Sequence, residues 1–150
     1  MKISVDTSGL ASALFELEDD INKAVRPAAQ AGAQVLYDNV KQNVNRIGKV
    51  TGNLSNSIYQ VYSERQSTEG KAVYEVSWNP RKAPHGHLVE YGHVKKYAVY
   101  MGSDGKWYTN KNKPVPPVQI AAQPFMRPAI SKFNEAMDAV KDRLIEELNK

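Results

Sequence analysis

HGHLVEYGH at residues 85–93 and AAQPFMRPAI at residues 121–130 are the two stretches that decide the fold of this chain. The first places two apolar residues before Glu90 and a Tyr-Gly pair, and the second places a proline on each side of Phe-Met-Arg. A proline suits the first turn of a helix, where its missing N–H costs nothing. The second stretch therefore predicts the start of a helix. Because neither stretch holds an obvious catalytic set, we predict that they build a shape and an interface.

The length and composition are those of one soluble globular domain spanning residues 1–150. The chain has no cysteine, which excludes disulfides and thiolate metal sites. The opening residues MKISVDTSG lack the apolar core of a signal peptide, and no stretch has the length of a transmembrane helix. We therefore expect no membrane partner.

The charge is modestly basic, with 20 basic and 16 acidic residues and a net charge of +4. The excess lies in the middle of the chain, between residues 47 and 113. This is too little charge to identify a nucleic-acid-binding protein, but it suits a surface that meets DNA only in passing.

Two long segments have helical periodicity. From residue 10 to residue 47 the apolar residues recur on one helical face, and Pro27 predicts a kink or the meeting of two helices. The C-terminal segment carries a second apolar stripe, formed by Phe125, Ala129, Phe133, Met137, Val140, Leu144 and Leu148.

The region between these segments predicts strands. Alternation of residue types over residues 58–63 and 71–78 indicates one hairpin, and residues 97–101 and 106–109 flank an Asp-Gly turn and indicate a second. Residues 110–117 read as an exposed loop, and residues 88–91 as a helical turn or a short strand. The predicted fold is α+β: a long N-terminal helix, a small antiparallel sheet of about four strands, and a long C-terminal helix packed on that sheet.

The histidine cluster raises the possibility of a metal site, because His85, His87, Glu90 and His93 fall within nine residues. Zinc needs three or four converging donors. The chain has no His-Glu-x-x-His pattern and no second ligand cluster, so one imidazole is expected to cap a carbonyl and another to be exposed. We predict no metal and no cofactor.

An enzyme is not expected. There is no Gly-x-Ser-x-Gly elbow and no glycine-rich phosphate loop. A glycosidase-like pair of carboxylates stays open, since Glu75 and Glu90 are the acids of the predicted sheet region without a clear surface role. We predict no catalytic residue.

A small nucleic-acid-binding protein is an alternative, because aromatic residues alternate with lysines in the basic middle of the chain. Ordinary sheet packing explains the same pattern, and no known RNA-binding motif supports the alternative.

Three pieces occur in an order that resembles the tail-completion or head–tail joining family of long-tailed bacteriophages. They are TGNLSNSI (residues 51–58), HLVEYGH (residues 87–93) and AQPFMRPAI (residues 122–130). Val50 stands where members commonly have proline, and residues 94–119 form a long, variable insert. The motif residues, and candidate interface residues, are Thr51, Gly52, Leu54, His87, Leu88, Val89, Glu90, Tyr91, Gly92, Pro124, Phe125, Arg127 and Pro128.

The resemblance implies a structural, non-enzymatic protein of the head–tail junction of the virion, assembled in the cytoplasm of the bacterial host. It implies self-association into a ring of six subunits, next to neck, tail-terminator or tail-tube proteins, with DNA only passing through the channel. A tail terminator that caps growth of the tail tube is the alternative within the same class. As a hypothesis from the residues, Glu90 and Arg127 form a charged pair or cap that locks the sheet to the last helix.

Overall fold

The computed structural model describes the backbone of residues 8–48 and 52–150, and side chains from Phe15 onward within those ranges. Thr51 of the first motif lies outside the described residues. The order of elements confirms the α+β class: a long N-terminal helix, two antiparallel hairpins separated by a short helix, and a C-terminal helix. No helix in the described ranges is long and apolar enough to cross a membrane.

Helix α1 (Ser8–Ile47) runs without interruption through Pro27, so the alternative of two separate helices is wrong; a bend at Pro27 stays a prediction. Small side chains let α4 (Phe133–Leu148) approach α1 closely. A Cβ added to Gly32 would lie 2.6 Å from Val140 Cγ2 and 3.1 Å from the carbonyl oxygen of Ala136. The C-terminal helix therefore packs mainly on α1, and not on the sheet as predicted.

The first hairpin pairs β1 (Ile58–Tyr62) with β2 (Tyr74–Trp78) in antiparallel register, as the alternation predicted. It lies against α1, where the Arg26 guanidinium stacks 4.2 Å from the ring centroid of Tyr62. Helix α1 thus packs against both the hairpin and α4, and the main contacts of α4 are with α1.

The second hairpin pairs β3 (His93–Met101) with β4 (Trp107–Ile120). The two hairpins form separate two-stranded sheets instead of one sheet of four strands. The predicted loop at residues 110–117 is part of β4, which has 14 residues against nine in β3. The surplus is taken up by register shifts between Lys95 and Ala98, and bulges of this kind tolerate prolines that cannot donate to a ladder.

The C-terminal segment begins as a 3₁₀ helix (Arg127–Lys132), and regular α-helix starts only at Phe133. The predicted apolar stripe is only partly covered, because Ala129 is buried whereas Phe133 and Met137 are exposed. The main core lies where α1, β1 and this segment meet. Its buried members are Val40, Val44, Ile58, Phe125 and Ala129.

Candidate interface site

Glu90 is the centre of the site. It lies on α3 (Gly86–Tyr91) with only 1% of its surface exposed. Its Oε2 atom accepts hydrogen bonds from the main-chain N–H groups of Phe125 at 2.7 Å and Met126 at 2.9 Å, and Oε1 accepts from the N–H of Arg127 at 3.1 Å. The buried carboxylate therefore binds three successive donors at the start of the 3₁₀ segment.

Arg127 completes this arrangement from the solvent side. Its Nε donates to Glu90 Oε1 at 3.0 Å, and its Nη2 donates to the main-chain oxygen of Glu90 at 2.7 Å. The guanidinium also lies 5.2 Å from the ring centroid of Tyr91, and the Arg127 side chain is 53% exposed. The hypothesised Glu90–Arg127 pair is present, but it joins α3 to the 3₁₀ helix instead of a strand to the last helix. We call this cluster of Glu90, Arg127 and the three N–H groups the Glu90 lock.

The Glu90 lock favours the charged carboxylate. Burial raises the pKa of Glu90, but the hydrogen bonds from the main chain of Met126, Phe125 and Arg127 and from the Arg127 side chain outweigh it. The net pKa of Glu90 lies below its usual value. A carboxylate held in this way is a poor general acid or base, because both of its oxygens already accept hydrogen bonds from main-chain N–H groups and from the Arg127 side chain.

The two deciding stretches meet at the base of the β3–β4 hairpin. The N–H of Gln123 donates to the oxygen of Val89 at 2.8 Å, and His93 pairs with Ile120 as the outermost rung of the hairpin. Gly92 has a φ of 72°, and a Cβ there would lie 2.7 Å from the oxygen of Ile120. Only glycine permits this close approach of the two chain segments.

Phe125 anchors the second stretch in the core. It is fully buried and packs edge-on against Trp78, with ring centroids 5.5 Å apart. The Nδ2 of the buried Asn43 on α1 donates to the main-chain oxygen of Phe125 at 3.0 Å. Pro124 is half-buried beside it, and Pro128 is exposed at the second position of the 3₁₀ helix.

The first motif lies beside the two deciding stretches, because Gly52 to Ser55 line one cleft with His85, Val89 and Gln123. Gly52 has a φ of 73° and precedes α2 (Asn53–Ser57), and Leu54 on this helix packs against the core. Lys41 Nζ donates to the main-chain oxygen of Ser55 at 2.6 Å, which ties α2 to α1. This motif supports the core but does not contact Glu90 through any hydrogen bond within the described residues.

The histidines do not converge. His85 is exposed at the start of α3, where its main-chain oxygen accepts from Leu88 and Val89, and His87 is exposed on the same helix. His93 is half-buried, and its Nδ1 has no hydrogen-bond partner. Residues 8–48 and 52–150 contain no group of three acidic or histidine side chains placed to hold a metal ion.

Asn43 and Trp78 belong to this site although the sequence did not single them out. Asn43 carries a signal that could have found it: it lies three residues after Val40 on the apolar face of α1, where a polar side chain needs a buried partner. Trp78 gave no such signal, because an aromatic residue in a strand is ordinary.

Two exposed apolar surfaces within the described residues are unlike each other. One is a groove of about 340 Å³ between α1, β2 and the 3₁₀ helix, lined by Ala33, Leu36, Val40, Tyr74, Val76, Met126, Ala129, Ile130 and Phe133. The other is the β3–β4 hairpin, whose exposed large apolar side chains are Val94, Tyr97, Val99, Tyr100, Met101, Trp107, Tyr108, Val118 and Ile120.

A family model agrees with this architecture. The model of the HK97-gp10-like family (Bacteriophage HK97-gp10, putative tail-component) matches residues 8–92, which is more than half of the chain. The matched range contains the first motif and all of the second except His93, and it ends at Gly92, before the β3–β4 hairpin. No match is found among curated proteins or among solved structures.

The chain belongs to the HK97-gp10-like family of bacteriophage tail components. The suspected relation to phage tail-completion proteins is thereby confirmed at the level of the family.

Proposed function

We propose that this protein is a ring subunit of the head–tail junction that completes the tail or joins it to the head, without catalysing a reaction. The observation that carries the proposal is the family match to phage tail components over residues 8–92. Membership of a tail-component family supports a role in the virion and contact with other structural proteins of the phage. The position at the junction is our inference.

The two unlike apolar surfaces support a ring. Unlike apolar surfaces at different places on one chain can face different neighbours in a head-to-tail contact, and such a contact closes into a ring when the rotation fits. Exposed apolar surfaces of this extent are typical of interaction sites. Six copies is the number that the family resemblance suggests.

The Glu90 lock supports a role for the hairpin as a rigidly held binding element. It closes the base at which β3 leaves the body and β4 returns, so it fixes the direction of the hairpin. A rigidly held element loses less conformational entropy on binding a partner. Neck, tail-terminator or tail-tube proteins are the partners proposed for the surfaces that the ring leaves open.

DNA passing through the ring would meet few negatively charged side chains on the hairpin. The hairpin from residue 93 to residue 120 has five lysines and one aspartate, a formal charge of +4 that equals the net charge of the whole chain. Such charge does not repel DNA that passes beside the ring, and DNA binding by the hairpin is not part of the proposal.

An add-back assay tests the junction role. A phage with the gene deleted is grown, purified protein is added to the lysate, and plaques are counted. We expect the titre to rise several orders of magnitude above the lysate without protein, because separate heads and tails need only the missing subunit. Arg127→Ala protein should restore fewer plaques, and equal restoration would show that the Glu90 lock does not contribute to the proposed role. No restoration by the wild-type protein would contradict the completion role.

The tail terminator is the second candidate, and it rests on the same family match. A late addition should not rescue a terminator deletion, because tails that have already grown too long cannot be shortened. The nucleic-acid-binding alternative rests on the hairpin lysines, and filter binding of DNA that weakens steeply with salt would support it.

A further inference from the structure

We infer that the β3–β4 hairpin of one subunit docks on the first turns of helix α1 in a second copy of this chain. The inference rests on the proposed ring and names the two surfaces that meet in it. It is drawn from opposite charge, exposed apolar side chains and unequal helix lengths.

Among the described residues, the turns of α1 before Ala24 are largely uncovered, although Asn22 Nδ2 donates to Glu69 Oε1 at 3.3 Å. At about 1.5 Å per residue α1 is about 60 Å long, whereas the 16 residues of α4 span only about 24 Å. Along the part of α1 whose side chains are described, burial begins at Ala24. The turns before it extend past the end of α4, and they leave Phe15 71%, Leu17 50% and Ile21 38% exposed.

These turns are acidic and the hairpin is basic. Residues 15–23 carry four acidic side chains and Lys23, which pairs with Asp19 and Asp20, so their formal charge is −3, whereas the hairpin at residues 93–120 carries +4. Lys95, Lys96, Lys111 and Lys113 have no ion pair in the described part of the chain, and neither do Glu16 and Glu18. Complementary charge steers association and sets which surfaces meet.

The apolar content favours a protein partner over DNA. One face of the hairpin presents Val99, Met101 and Trp107, which are 45%, 50% and 54% exposed and share a face by their register. Phosphate contacts would use the lysines alone and leave this apolar surface in water. Leu17 and Ile21 share one face of α1, and Glu18 and Asp20 border it. A contact with this face uses both the lysines and the apolar side chains of the hairpin, as helix-in-groove contacts do.

In the proposed ring the contact is heterologous: the hairpin and residues 15–22 of α1 in one subunit face two different neighbours. Each subunit would donate a hairpin to one neighbour and receive one from the other, which is the arrangement that closes a ring.

Site-directed cross-linking tests the contact, since the chain has no cysteine of its own. Leu17→Cys and Val99→Cys are placed in one chain, the protein is incorporated into virions by add-back, and a short bismaleimide is applied. We expect a ladder of covalent oligomers on a denaturing gel, and only monomer from either single variant. Monomer alone from the double variant in infectious virions would overturn the inference.

Charge reversal supplies a second test that does not depend on the cross-linker. Lys111→Glu with Lys113→Glu, or Glu16→Lys with Glu18→Lys, should each lower the add-back titre by about tenfold or more, because like charges then face each other. Combining all four changes in one chain should restore the titre to within about threefold of wild type, because the attraction is re-formed with the signs exchanged.

A matched control uses exposed acids outside both surfaces. Glu64→Lys with Asp142→Lys changes the net charge by the same amount as Glu16→Lys with Glu18→Lys and should leave the titre unchanged. The hairpin variant could lose titre while the Glu16 and Glu18 changes have no effect and the combined variant is not rescued. That result would show that the hairpin meets DNA or another tail protein, and the inference would be wrong.

Failure of the inference and failure of the proposed function give different results. If wild-type protein restores the titre and the double cysteine variant stays monomeric, the junction role stands and the contact is wrong. If purified double cysteine protein forms the ladder while the deletion phage makes complete virions, the contact stands and the junction role is wrong.

Discussion

Replacing Glu90 by glutamine tests the Glu90 lock without changing its shape. In the native site each carboxylate oxygen accepts two hydrogen bonds: Oε2 from Phe125 and Met126, and Oε1 from the N–H and Nε of Arg127. An amide has only one acceptor oxygen, so its NH₂ group must face two donors. The perturbation therefore removes the charge and leaves one side of the site without an acceptor.

The expected loss of unfolding free energy is large for a change of one atom. The main-chain N–H left without an acceptor costs about 1–3 kcal/mol, and the two remaining bonds each lose about 1 kcal/mol when the acceptor becomes neutral. Arg127 is half exposed, so water replaces most of its lost bond and we assign it little energy. The total for Glu90→Gln is about 3–5 kcal/mol, in the range measured when one partner of a buried charged pair is removed.

Urea unfolding followed by circular dichroism and by tryptophan fluorescence measures this loss. The control is Glu147→Gln, because Glu147 also has two cationic partners, Arg143 at 2.7 Å and Lys150 at 2.8 Å, but lies near the exposed end of α4. We expect the control to lose much less than Glu90→Gln, because its cationic partners lie on the exposed helix surface. A loss at Glu90 no larger than the loss at Glu147, with equal slopes against urea, would refute the reasoning.

The remaining predictions concern pH, a glycine and the core. Because hydrogen bonding lowers the pKa of Glu90 in the folded state, its contribution is complete above the unfolded value of about 4.3 and is lost as pH falls through the lower folded value. The difference in unfolding free energy between wild type and Glu90→Gln should thus be constant from pH 7 to about 5 and shrink below it; a difference that grows on acidification would contradict the depressed pKa. Gly92→Ala should destabilise the protein by about 1–2 kcal/mol more than Gly105→Ala in thermal unfolding, because both have positive φ but only Gly92 has backbone atoms within 3 Å of the added Cβ; equal losses would show that the hairpin base relaxes. Phe125→Ala should cost about 3–5 kcal/mol and Phe133→Ala less than about 1 kcal/mol in urea unfolding, since the first is fully buried and the second is 58% exposed; the reverse order would place the core elsewhere.

Local periodicity was sufficient for much of this fold. Helix α1, the β1–β2 hairpin and the Asp-Gly turn of the second hairpin follow from spacing and turn residues, because these signals act over a few residues. The Glu90–Arg127 pair could also be predicted, because Glu90 is the acidic residue of the first stretch and Arg127 is the charged residue of the second.

Long-range arrangement was not within reach. That α4 covers α1 depends on the close approach at Gly32, which no periodicity of either helix encodes. The strand at residues 110–117 was missed because three prolines indicate a loop, and only pairing with β3 across a bulge makes the segment extended. The exposed Phe133 was taken for core because a stripe shows which residues share a face, and not whether another element covers it.

Electron microscopy of lysates from a phage lacking this gene tests the junction role most directly. The proposal predicts DNA-filled heads beside separate tails of normal length. Tails much longer than normal would move the protein to the terminator class, and complete virions of ordinary appearance would contradict a role at the head–tail junction.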